Sequence, residues 1–138
     1  MRKIFAAGYS VVLVLILLWP VPVDQSGATN TLVKAILGFA DTTPGLGWLD
    51  YNFLESTANI LLFVPLGYLA TAIWPKSNHL LVMAVGVGIS LTAELLQLFV
   101  VTQRVFSLDD VLHNGLGSAL GVALATWLGK SHSNEPRL

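Results

Sequence analysis

Eight polar residues fall inside or at the edge of hydrophobic runs in this sequence: Glu55, Asn59, Glu94, Gln97, Asp109, Asp110, His113 and Asn114. Such groups transfer protons, bind polar head groups or hydrogen-bond one helix to another. A carboxylate at membrane depth is costly to hold, so Glu94 is a functional candidate by position alone, and the candidate acid or base of any chemistry here. Its competing role is a structural carboxylate paired with Arg104. Asn59, Gln97 and Asn114 read more simply as hydrogen bonds between spans. Asp109 reads as a helix cap, Asp110 as either cap-side scaffold or site, and His113 as an interfacial residue. Ser107, His113 and Asp110 lie within two turns of one helix and cannot present a Ser-His-acid triad without another element. Asp109, Asp110 and His113 lack a metal-ligand spacing, so neither metal nor cofactor is expected.

What must position these residues is a set of membrane spans. The chain has 138 residues, 54% hydrophobic and only 11% charged, with a mean hydropathy of +0.72. That leaves too little polar surface to cover a soluble globule, so the bilayer must be the solvent. A net charge of -1 and no basic stripe exclude nucleic acid as the natural partner. The absence of cysteine excludes disulfides and thiolate metal sites. Four apolar runs, about 4–23, 53–74, 80–101 and 108–128, predict an all-α domain of four transmembrane helices covering residues 1–138. Trp19 and Pro20 close the first run as an interfacial aromatic and a helix terminator. Pro65 and Gly67 predict a kink or local break in the second. Gly86, Gly88 and Ser90 in the third, and Gly115, Gly117 and Gly121 in the fourth, predict close helix approach, the last two in GxxxG spacing.

Lysine and arginine set the orientation. With the N-terminus inside, Arg2, Lys3, Lys76, Lys130 and Arg137 are cytoplasmic and only Lys34 and Arg104 are outside, as the positive-inside rule prefers. The C-terminus then also lies inside, with Lys130 to Leu138 as a disordered polar tail. A cleaved leader over Met1 to Ala28 is the competing reading, and two prolines and Asp24 sit badly in its processing site. In the first outer loop, Thr31 or Asn30 predicts the cap of a short interfacial helix with Leu32, Val33, Ile36, Leu37 and Phe39 mainly on one face and Lys34 opposite. Asp41 to Gly47 reads as a joint, and Trp48, Tyr51 and Phe53 as re-entry through the aromatic belt. This topology brings all eight polar residues to the outer side, with Arg104 in the short loop between the third and fourth spans. Ser107 or Asp109 caps the fourth.

The stretch Asn59-Ile-Leu-Leu-Phe63-Val-Pro65-Leu-Gly67, then Glu94-Leu-Leu-Gln97, Arg104, Asp109-Asp110 and Asn114-Gly115-x-Gly117 leading to Gly121 resembles the VanZ-like membrane proteins over about 51–129. The resemblance implies a small multi-pass protein of the bacterial cytoplasmic membrane, in a family named for a protein linked to teicoplanin resistance. Carried over residue by residue, the family's polar pattern falls on Asn59, Glu94, Gln97, Arg104, Asp110 and Asn114. Together with the one-sided clustering, it leads us to expect an envelope protein whose outer-leaflet pocket binds an amphiphile: a membrane lipid, a lipid-linked wall precursor or a lipoglycopeptide. Two alternatives stand beside it. One is an intramembrane enzyme acting on an envelope lipid through Glu94, and the other is a structural subunit bound to a membrane-protein partner.

Overall fold

The computed structural model describes residues 1–18, 27–100 and 106–133. They form five helices: α1 (Arg2–Leu17), α2 (Gly27–Thr42), α3 (Tyr51–Ile73), α4 (His79–Val100) and α5 (Leu108–Ser133). Three of them are long and apolar enough to cross a bilayer, over Tyr51–Ile73, His79–Phe99 and Leu108–Lys130. The chain is therefore a multi-pass membrane protein. Helix α1 has 16 residues, or about 24 Å of rise against a hydrocarbon core of about 30 Å. The remainder of its expected span, including Trp19 and Pro20, lies outside the described residues.

Contacts between helices fix their directions. Asn59 meets Asp110, Gly117 lies against Ile60, and Gly121 against Val64, so α3 and α5 run parallel. Pairings of α4 with α5 run the other way: Glu94 with Ser107, Ser90 with Asn114, Gly86 with Ser118. Helix α1 is antiparallel to α3, since the Tyr9 hydroxyl donates to the Leu62 carbonyl and Arg2 points its guanidinium at the Ala72 carbonyl 3.5 Å away. The tight seam is α3 against α5. A Cβ on Gly117 would stand 2.1 Å from the Ile60 carbonyl oxygen, and one on Gly121 2.1 Å from that of Val64. Gly67 answers from α3, where a Cβ would stand 2.1 Å from the Ser118 carbonyl oxygen. Backbones this close need glycine on both helices. Phe63 is wholly buried beside this seam, while Leu80, Leu112 and Trp127, each about two-thirds exposed, present apolar surface outward to lipid.

Several expectations need correction. Of the kink or local break expected at Pro65, the break does not occur, since helix α3 runs without interruption through it. Proline removes one donor, and nearby the Leu62 carbonyl accepts from Tyr9 and the Gly67 carbonyl from the Thr71 hydroxyl at 2.9 Å. The outer helix begins at Gly27, earlier than expected, so Thr31 and Asn30 lie inside it and do not cap it. The Thr31 hydroxyl instead bonds back to the Gly27 carbonyl at 3.4 Å. The joint after α2 begins later than Asp41, because α2 runs to Thr42, and it turns at Gly45 with φ +88. Asp50 then caps α3 by accepting the Phe53 N–H at 2.8 Å, and Trp48 meets Phe53 edge-on at 5.0 Å. Among the described residues Gly88 lies against nothing within 4 Å, so it serves no close approach to them. The expected disordered tail is helical as far as Ser133, and residues 134–138 lie outside the described region.

Candidate polar site at the α3, α4 and α5 ends

The site is built around the start of α5. Ser107 is its N-cap, its hydroxyl accepting the Asp110 N–H at 3.1 Å. Asp109, expected as a cap, is instead exposed in the first turn, where its charge favours the helix dipole. Ser107-Leu108-Asp109-Asp110 has the spacing of a capping box, in which the acid three residues on would turn back to the N-cap N–H. Here another helix supplies that acceptor: the Glu94 carboxylate on α4 takes the Ser107 N–H at 3.0 Å. Asp110 is thereby released to accept the Asn59 side-chain amide of α3 at 2.8 Å. The result is one chain of hydrogen bonds, Asn59 to Asp110 to Ser107 to Glu94, tying three helices at one end of the bundle.

Asn114 lies one turn deeper. Its amide donates to the Ser90 hydroxyl on α4 at 2.8 Å, while its Oδ1 has no hydrogen-bond partner among the described residues. Ser118, a further turn along, has a buried hydroxyl in the same condition. Gly86 makes room for it, since a Cβ there would lie 2.4 Å from the Ser118 Oγ. Gln97 turns to a different neighbour and donates to the Leu17 carbonyl, satisfying one of the acceptors that the end of α1 leaves open. Glu94, Gln97 and Asn114 are each at least nine-tenths buried.

Five of the six expected site residues thus gather at one end of the molecule, three of them, Asn59, Glu94 and Asp110, in contacts that meet at the start of α5, with Asn114 one turn deeper and Gln97 beside α1. Arg104 lies outside the described residues. Glu55 is exposed, and His113 is half-buried with its Nδ1 lacking a partner among the described residues. Sequence reasoning missed Ser90 and Ser118 as members of the polar ladder, and missed Tyr9. Their i, i+4 spacing with Gly86 and Asn114 was the available signal.

The VanZ/LLP1 family model matches residues 6–129. The chain belongs to that family. No curated protein and no solved structure matches it. The match begins within α1 and runs through α5, so in this VanZ-like chain the N-terminal helix and outer segment fall within the family region as well, beyond the 51–129 that the motifs marked.

Proposed function

We propose that this VanZ-like chain is a cell-envelope protein of a bacterial cytoplasmic membrane that holds an amphiphile by its polar head at the α3, α4 and α5 ends. Lipid-linked wall precursors and lipoglycopeptides of the teicoplanin type are the ligand classes that suit such a site. The carrying observation is the convergence of carboxylates, amides and hydroxyls from three helices on one end of an otherwise apolar bundle. Arg104, in the short connection between α4 and α5, supplies a cation for an anionic head group. Asn114 Oδ1, buried and without a partner among the described residues, supplies an acceptor.

The test is native mass spectrometry of mildly solubilised protein, wild type beside Arg104→Ala and Asp110→Asn, together with teicoplanin susceptibility of cells carrying each. A defined anionic or isoprenoid lipid retained by wild type and lost from Arg104→Ala supports the reading. No retained amphiphile and no susceptibility change in any variant defeats it. A structural-subunit reading draws on a specific observation of its own, that Asn59, Gln97 and Asn114 each already bond another helix. It predicts copurification of one stoichiometric protein partner, with variants losing assembly rather than lipid. Glu94→Gln addresses the enzyme alternative: loss of lipid turnover with retained binding would move Glu94 from scaffold to acid or base.

A further inference from the structure

Helix α1 leans on α3 through Tyr9 and stands away from α4, leaving a groove of about 410 Å³ lined by Val14 and Leu17 on one side and Val85, Gly88, Ala93 and Leu96 on the other. Its walls are almost wholly apolar, and its α4 side belongs to a membrane-crossing helix, so what reaches it must be dissolved in the bilayer. Along α1 it is lined by Val14 and Leu17, in that helix's last turn, and along α4 it ends at Leu96, beside Gln97. It therefore reaches the polar end of the bundle from the apolar space between α1 and α4. Gln97, holding the Leu17 carbonyl, stands at that polar end.

The width of the groove selects its occupant. Spread over the ~16 Å from Val85 to Leu96, the volume gives a cross-section of roughly 25 Å². That is room for an extended hydrocarbon chain. We propose that the α1–α4 groove takes one acyl or isoprenoid chain of the membrane amphiphile whose head group sits at the polar end. The inference rests on the proposed function and adds a separate part of the ligand and a separate wall of the protein. Gly88 is the key to testing it, because a Cβ there meets nothing within 4 Å among the described residues. A larger side chain at this position projects into the groove.

The experiment places purified protein in vesicles containing a phosphatidylglycerol with a diazirine on one acyl chain, irradiates, and maps the labelled positions by peptide mass spectrometry. Ala93, only 7% exposed, should be labelled at least as heavily as the outward-facing Leu120 and Leu124 of α5. Labelling there should fall at least about fivefold in Gly88→Leu and in Val85→Phe, each checked for wild-type helicity and melting. Bulk-level or weaker labelling at Ala93 in wild type overturns the proposal, as does strong labelling that Gly88→Leu leaves unchanged. The chain has no cysteine, so Gly88→Cys is a unique thiol, and efficient oxidative cross-linking between copies through it would assign the groove to a second copy and also overturn the proposal. If Gly88→Leu keeps the lipid that Arg104→Ala loses, the head-group reading stands and the chain assignment fails. Loss of lipid from neither variant removes both.

Discussion

At the scale of single residues, the polar end is decided by which acceptor takes the Ser107 N–H. Glu94 takes it from α4, and Asp110 turns to Asn59 rather than closing its own capping box. Replacing Glu94 by Leu leaves a half-buried N–H without that acceptor, and we expect a loss of about 1–3 kcal/mol in reversible SDS unfolding. Glu94→Gln keeps a side-chain carbonyl that accepts the same bond, so its loss should stay under about 1 kcal/mol. Equal losses in the two variants would mean that the bond to Ser107 is not what Glu94 contributes to stability. Asn59 and Asp110 should couple by about 0.5–1.5 kcal/mol in an Asn59→Leu, Asp110→Leu double-mutant cycle, the range for hydrogen bonds between membrane helices. A coupling near zero would place the pair's role outside stability. The sequence named these residues but not their pairings. Asn59 and Asp110 are 51 positions apart, and which of several carboxylates an amide meets depends on helix register, which hydropathy leaves open.

At the scale of elements, the glycines divide into two kinds that spacing alone does not separate. Gly117 and Gly121 bring α5 against the α3 backbone, as their GxxxG spacing predicts. Gly86 and Gly88, two positions apart on α4, point to different faces, and only Gly86 meets a neighbour, Ser118. Gly117→Ala should therefore destabilise markedly, by at least about 2 kcal/mol, because the added methyl meets a backbone carbonyl that cannot rotate away. Gly88→Ala should be neutral or stabilising by up to about 1 kcal/mol, since it gains helix propensity in open space. SDS unfolding midpoints of the two variants check both, and a reversed order would refute the assignment of the α3–α5 seam. The three apolar runs from 53 onward were legible as spans because length and hydropathy determine them. The cap of α5 was legible only as a choice between Ser107 and Asp109, and the caps at Asp50 and at Asn78, which accepts the Leu80 N–H at 2.9 Å, were not read from the sequence. The uninterrupted course of α3 through Pro65 was not read from the sequence, because proline marks either a continuous or a broken helix within a membrane.

At the scale of the whole molecule, the open question is how many times the chain crosses the bilayer. Three helices meet the length of a span, and α1 packs alongside α3, with Tyr9 at Leu62 and Arg2 near Ala72. It starts level with the end of α3, and Leu17, its last residue, reaches Gln97. On that ground we propose a fourth crossing, in the orientation that Arg2, Lys3, Lys76 and Lys130 prefer. Because the chain has no cysteine, the exposed positions Thr42 and Asn78 can each carry a unique thiol. On intact cells or spheroplasts, a membrane-impermeant maleimide should label Thr42→Cys directly, but should label Asn78→Cys only after permeabilisation. A tag fused ahead of Met1 should behave like Asn78→Cys. Accessibility of the tag from the same side as Thr42→Cys would instead make α1 a helix that enters and returns without crossing. That geometry would carry Leu17 away from Gln97 and dissolve the groove between α1 and α4, so the topology experiment decides the setting in which the chain-binding test has meaning.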